Sequence, residues 1–200
     1  MSHRFKASRL GFLVLLAGLL AGCGALTAQN PDGSLSPINA IANDADDHLL
    51  LFGADVVAYF SENRFVQGSP SYRSEYESVD LHFSSAANKA RFDANPTAYL
   101  PQYGGYCANG IAFGIPWGGN AEDFIVHDGR LYIFGGQLSK KAFLLDLDTN
   151  LELSDKYWRE EVKDGNSFWQ RAKRLVFRVP HYQTTEEQAA AVAAAESARQ

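Results

Sequence analysis

The sequence predicts an α+β fold: a small antiparallel sheet with hairpins, packed by several short helices, in a single domain. Strand-like runs cluster between residues 56 and 134, with two short helical stretches among them. Helical spacing of apolar residues takes over after Gly135-Gly136, and an Asp-Gly pair divides the clearest strand-like stretch. Strands gathered ahead of helices, rather than alternating with them, are the pattern of an antiparallel α+β domain. Hydrophobic residues make up 46% of the 200 and aromatics 12%, enough for one ordinary core. The net charge is −5 with both signs interspersed, so no polycationic stretch points to nucleic acid as a partner.

The chain opens with His3, Arg4, Lys6 and Arg9, followed by the uncharged run Leu10 to Ala21. That run is short for a bilayer span, which takes about 20 apolar residues, but it suits the apolar part of an export signal. It ends in Leu20-Ala21-Gly22-Cys23, which resembles the bacterial lipobox. The resemblance implies removal of residues 1–22, acylation of Cys23 and attachment to membrane lipid. Two or three acyl chains make such attachment durable, where one holds only marginally. Gly24 stands where an Asp would favour inner-membrane retention, which points to the outer membrane on the periplasmic side. Residues 23–47 then form the lipidated cysteine and a polar tether with Pro31, Gly33 and Pro37; the alternative is an ordered arm packing through Ile38–Ile41.

The domain spans residues 48–180. Val56–Phe60 is strand-like by its β-branched and aromatic content, and Phe65-Val66 is a shorter candidate. Tyr72–Glu77 and Val79–Phe83 read as strands paired across Ser78. Ser84 or Ser85 caps a helix through Phe92, and Asn95-Pro96 starts another, running to about Leu100. Residues 101–119 are glycine-rich and irregular. Asp123–Phe134 is a hairpin turning at Asp128-Gly129. Its register sets Val126 against Leu131 and Phe124 against Ile133 on the core side, with Ile125 against Tyr132 and His127 against Arg130 on the other. Leu138–Leu144 suits a helix. Ser154 is a candidate cap for a second through Val162, and Asn166 for a third carrying Phe168, Trp169, Ala172 and Leu175. Pro180 closes this region. In residues 181–200, Thr184-x-x-Glu187 is a capping box opening an Ala-rich tail, read as a solitary exposed helix or frayed coil.

If Cys23 is acylated, Cys107 is the sole remaining thiol, and no internal disulfide forms. A thiolate is a strong metal ligand and nucleophile, whereas a free cysteine is equally at home as a small buried hydrophobe. One thiol falls short of the four ligands of a usual zinc site, and no C-x-x-C or H-x-x-x-H spacing supplies the rest. Asp55 could be a ligand, a base or a turn former. Tyr59, Tyr106, Phe113 and Trp117 could wall a pocket or simply pack, with Tyr103 as a further ligand beside Cys107. His127 is a second-choice ligand, opposed by its neighbour Arg130. Met1 is the only methionine, which excludes a methionine-based copper(I) site.

Gly53-Ala54-Asp55-Val56-Val57-Ala58-Tyr59-Phe60, Pro101-Gln102-Tyr103-Gly104-Gly105-Tyr106-Cys107-Ala108 and Asp128-Gly129-Arg130-Leu131-Tyr132 together resemble YHS-domain proteins over about residues 48–165. Two departures stand out: Val56 replaces a frequent Pro, and Gly119-Asn120-Ala121-Glu122 replaces a frequent Asp-Pro pair. The resemblance implies a transition-metal ion held through Cys107. It leaves activity unassigned for secreted members. Three functions follow as expectations: a lipid-anchored module binding a metal or small ligand near Cys107, a thiol-dependent enzyme, or a structural or interaction protein of the cell envelope.

Overall fold

The computed structural model describes residues 27–29, 39–41, 49–77, 79–163 and 165–199. The expected leader, Cys23, most of the 23–47 segment and His48 lie outside the described residues. Strands β1 (Thr27–Gln29) and β2 (Asn39–Ile41) form an antiparallel pair.

The strand expected over Val56–Phe60 is instead helix α1 (Ala58–Ser61). Asp55 decides this: its Oδ1 accepts from the N–H groups of Val57 (3.0 Å) and Ala58 (3.3 Å), turning the chain into a helical start. The β-branched and aromatic side chains serve burial here, not strand pairing, since Val56, Val57, Ala58 and Tyr59 are all buried with no alternating exposed face. The Phe65-Val66 candidate reduces to a single antiparallel bridge between Ala54 and Gln67.

Strand β3 (Ser69–Tyr76) pairs antiparallel with β4 (Val79–Phe83), and Tyr76 faces Val79. Across the pair, Arg73 holds the Asp80 carboxylate at 2.8 Å. Ser85 caps α2 (Ala86–Ala94) by accepting from the N–H of Asn88. Asn95 makes no side-chain cap, and the Pro96 start yields one tight turn, Pro96–Ala98. The stretch expected to be irregular contains helix α3 (Ala108–Ala112).

Strands β5 (Asn120–His127) and β6 (Arg130–Phe134) have the expected register, with Phe124, Ile125, Val126 and His127 opposite Ile133, Tyr132, Leu131 and Arg130. The hairpin is buried on both faces. Leu131 and Ile133, with Phe124 and Val126 beside them, join a core of Leu50, Leu51, Val56, Tyr59, Phe83 and Phe92. Tyr132, Phe134 and Ile125 join a second core with Tyr103, Tyr106, Cys107, Ile111 and Phe143. Three two-stranded antiparallel sheets and the helices around them make the fold α+β among the described residues.

Helix α4 (Gln137–Leu144) follows β6. Helix α5 (Leu147–Tyr157) begins seven residues before the expected cap Ser154, because Asp146 caps it by accepting from the N–H of Thr149. Ser154 lies inside the helix, where its hydroxyl donates to Asn150 O (2.7 Å) and Ala108 O (3.1 Å). A wider π-helical turn continues α5 through Trp158–Val162. Asn166 caps α6 (Ser167–Val176) as expected. The capping box of Thr184 and Glu187 opens α7 (Thr185–Ser197). That helix is not solitary: it packs along α4, buries Gln188 and Val192, and pairs Glu196 with Lys141 at 2.8 Å. Buried contacts through two residues suffice where the rest of a helix face is alanine, because small side chains let the helices approach.

Helix α6 docks through polar groups. Gln170 donates to Gly114 O and to Glu161, both at 2.9 Å, and Lys173 and Arg174 pair with the same Glu161 carboxylate. Burial alone would raise the Glu161 pKa, but hydrogen bonds from Gln170, Lys173 and Arg174 and the guanidinium charge outweigh it and hold it below the ordinary 4.5. A lowered folded-state pKa contributes stability that is complete above 4.5 and is lost as pH falls through the lower, folded value. Amide exchange in α6 is therefore expected to accelerate relative to β5 and β6 as pH drops below that point. Equal protection of helix and hairpin, after correction for intrinsic rates, would contradict this.

Candidate functional site

The segment Pro101–Ala108 presents Cys107 by an unusual backbone route. Tyr103, Gly104 and Gly105 have φ of 56°, 62° and 81°, three left-handed residues in succession. Glycine adopts that region without strain, and Tyr103 is held in it by its surroundings. The reversed chain lays Cys107 beside β6 through a bridge to Ile133. Its N–H donates to Trp117 O at 2.9 Å, and its carbonyl accepts from Ile111 N to begin α3.

The Cys107 side chain is buried, and the residue lines a cavity of about 300 Å³. Asn109, Ser139, Thr185 and Gln188 offer hydrogen-bonding groups there, while Trp117, Leu138 and Tyr182 supply apolar surface. The lining contains no carboxylate, imidazole, ammonium or guanidinium. Asn109 donates to the Gln188 side chain at 2.9 Å in a buried hydrogen bond, so α7 closes one side of the space. Burial pushes the Cys107 pKa up; the amides of Gly110 and Gly135, the Ser139 hydroxyl and the Asn109 amide oppose that without reversing it. A thiol shifted in that direction is a weak donor and a polarisable wall, and a poorer nucleophile than a free cysteine.

The other sequence candidates do not converge on this cavity, apart from Trp117. Asp55 is fully buried, and five donors occupy it. Besides Val57 and Ala58, Ser84 N (2.8 Å), Ser84 Oγ (2.6 Å) and Asn88 Nδ2 (2.8 Å) donate to Oδ2. It is a turn former that ties α1 to the start of α2. Tyr103 donates to Asp155 at 2.9 Å, its rings neighbours are Tyr132 and Trp158, and it borders a separate cleft of about 210 Å³ with Glu77 and Gln102. Burial and the Asp155 charge push its pKa up.

Tyr59 donates to Ala121 O at 2.6 Å inside the first core. Burial, with the charges of Asp55 and Glu122, raises its pKa as well. The Tyr106 hydroxyl is buried near Ser167 and Arg171; burial raises its pKa, and Ser167 and the Arg171 charge oppose the rise. Phe113 packs against His181 and Tyr182 in a third core. His127 sits at the hairpin tip, 3.5 Å from Asp128 and opposite Arg130.

Sequence reasoning missed Asn109, Ser139, Thr185 and Gln188. One signal was present: Gln188 is a polar residue at the head of the alanine run, one position after the capping-box Glu187. The metal expectation fares poorly on donor chemistry. Among the described residues, no group of three His, Cys, Asp or Glu could hold an ion, and the groups around Cys107 are neutral. The residues there do not fit a transition-metal centre. Among the described residues, no helix is long and apolar enough to cross a membrane. No family model, curated protein or solved structure matches the chain.

Proposed function

We propose that this chain is an exported, lipid-anchored module of the cell envelope whose YHS-like domain binds a small uncharged ligand beside Cys107. The cavity carries the reading. Its volume lies at the lower end of ligand pockets. Neutral donors and acceptors set among aromatic surface suit an uncharged polar molecule, whereas a charged ligand would enter without a counter-charge. The anchor rests on the lipobox at Cys23 and on the apolar run before it. Outer-membrane attachment facing the periplasm follows from Gly24. The YHS resemblance agrees with a functional position for the sulfur, with a neutral thiol taking the place of a metal-bound thiolate.

A second reading, an interaction protein of the envelope with no ligand, draws on one observation. Asp55, Tyr59 and Tyr103 all spend their polar atoms inside the fold. A thiol-dependent enzyme is disfavoured, since the lining offers no base and the thiol is held protonated.

Methyl methanethiosulfonate, which is small and uncharged, separates these readings. At alkaline pH, where part of the thiol ionises, it should modify Cys107 in the folded protein, while a bulky dianionic aromatic disulfide should react only on unfolding. Ser139→Phe, which fills the cavity from α4, should slow the first reaction about tenfold. Inertness of Cys107 to both reagents until the chain unfolds would remove the binding reading and leave the interaction protein.

A further inference from the structure

Helix α6 is mounted inside out. Ser167 and Gln170 are buried against the domain and Arg174 reaches Glu161, so the inward face is polar. Trp169, Leu175 and Val176 face outward at 69%, 73% and 73% exposure, with Phe168 beside them and Phe177 just past the helix end at 68%. At 100° per residue, positions 168, 169, 172, 175 and 176 fall on one side of the helix, forming one contiguous stripe. An apolar patch of this kind on a soluble surface marks an interaction site.

We infer that this stripe is a lipid-docking surface that lies in the interface of an anionic membrane. The composition is that of an interfacial helix: a tryptophan and phenylalanines for the headgroup boundary, with leucine and valine for the acyl region. Charge complementarity singles out a membrane over a second copy of the chain. Ser167–Arg178 carries Arg171, Lys173, Arg174 and Arg178 and no acidic residue, in a chain whose net charge is −5. Arg174 turns inward to Glu161 and Arg171 donates to Pro116 O, while Lys173, also paired with Glu161, and Arg178 are exposed beside the stripe; one carboxylate against four cations leaves the segment net positive. Arg178 stacks over the Tyr182 ring, 4.6 Å from its centroid, next to the apolar patch. A second copy docked on the stripe would bring two net-positive segments together. An anionic lipid surface accepts the exposed Lys173 and Arg178 and the apolar stripe together. The inference stands without acylation of Cys23, although an anchored chain would hold α6 within reach of the bilayer.

The test uses the full chain reconstituted into vesicles of phosphatidylethanolamine and phosphatidylglycerol, with and without brominated acyl chains. Flotation reports attachment, and quenching of tryptophan emission by bromine reports burial in lipid. Emission from the floated protein should be quenched, and Trp169→Phe should lower the quenched fraction about threefold, because Trp169 is on the stripe and 69% exposed, whereas Trp117 lines the Cys107 cavity and Trp158 packs on Tyr103. The double variant Leu175→Asp, Phe177→Asp changes only exposed positions. It should abolish the quenching while Cys107 keeps its native rate of modification. Protein that floats with unquenched emission overturns the α6 inference and leaves the acyl anchor intact. Protein that neither floats nor is quenched overturns both. A dimeric mass in solution with unquenched Trp169 on vesicles assigns the stripe to a second copy and also overturns it.

Discussion

Replacing Asp55 by alanine is expected to destabilise the domain by about 3–5 kcal/mol. The carboxylate is fully buried and receives five donors: two backbone amides at the start of α1, and Ser84 N, Ser84 Oγ and Asn88 Nδ2 at the start of α2. Removing it strands three of those donors in buried surroundings and the two from Ser84 in partly buried ones, and each buried unsatisfied donor costs about 1–3 kcal/mol. A domain of this size is stable by about 5–15 kcal/mol, so the variant sits near the edge of folding. Asp55→Asn should cost less, about 2 kcal/mol, because its carbonyl oxygen still accepts while its amide meets donors. Urea unfolding of the three proteins checks the order. An alanine variant within about 1 kcal/mol of the native chain would show that these hydrogen bonds do not hold α1 to α2.

Gly119→Ala is the second large effect. A Cβ at this position would lie 2.4 Å from the Gly105 carbonyl oxygen and 2.5 Å from Cγ2 of Ile133. Neither is the free end of a flexible side chain: one is backbone of the left-handed turn that delivers Cys107, and the other belongs to a fully buried residue of β6. Overpacking between two fixed elements is expected to cost about 3 kcal/mol. Relief requires the Gly105 carbonyl to move, and Cys107 follows two residues later. The variant should therefore change the rate of Cys107 modification by methyl methanethiosulfonate as well as the unfolding midpoint. A shifted midpoint with the native thiol rate would show that the strain is absorbed away from the turn. No shift in either would contradict the packing argument.

The parts of the fold legible in the sequence are those set by neighbours in the chain. Asp128 and Gly129 both adopt positive φ, 48° and 69°, as a two-residue hairpin turn demands, and the cross-strand pairs follow from that turn. Ser85, Asn166 and the Thr184–Glu187 box cap the helices they were expected to cap. Val56–Phe60 misleads because β-branched and aromatic residues report burial as much as strand pairing, and the carboxylate beside them chose the helix. Ser154 misleads because a serine can bond back to the preceding turn, here to Asn150 O, as readily as it caps. Phe168, Trp169 and Leu175 have helical spacing, but spacing does not say whether the apolar face meets the domain or the solvent.

By itself the sequence determined the α+β class, the hairpin register and most of the caps. Each rests on residues within a few positions of one another, where backbone geometry alone constrains the outcome. Only the tertiary structure decided the surroundings of Cys107. The cavity wall joins Asn109 to Gln188, 79 positions apart, and the neutral state of the thiol depends on burial by several elements at once. It likewise decided that Asp55 ties two helices together and that α6 turns its apolar face outward. Burial and long-range contacts are properties of how elements pack, and no local pattern encodes which partner will be opposite.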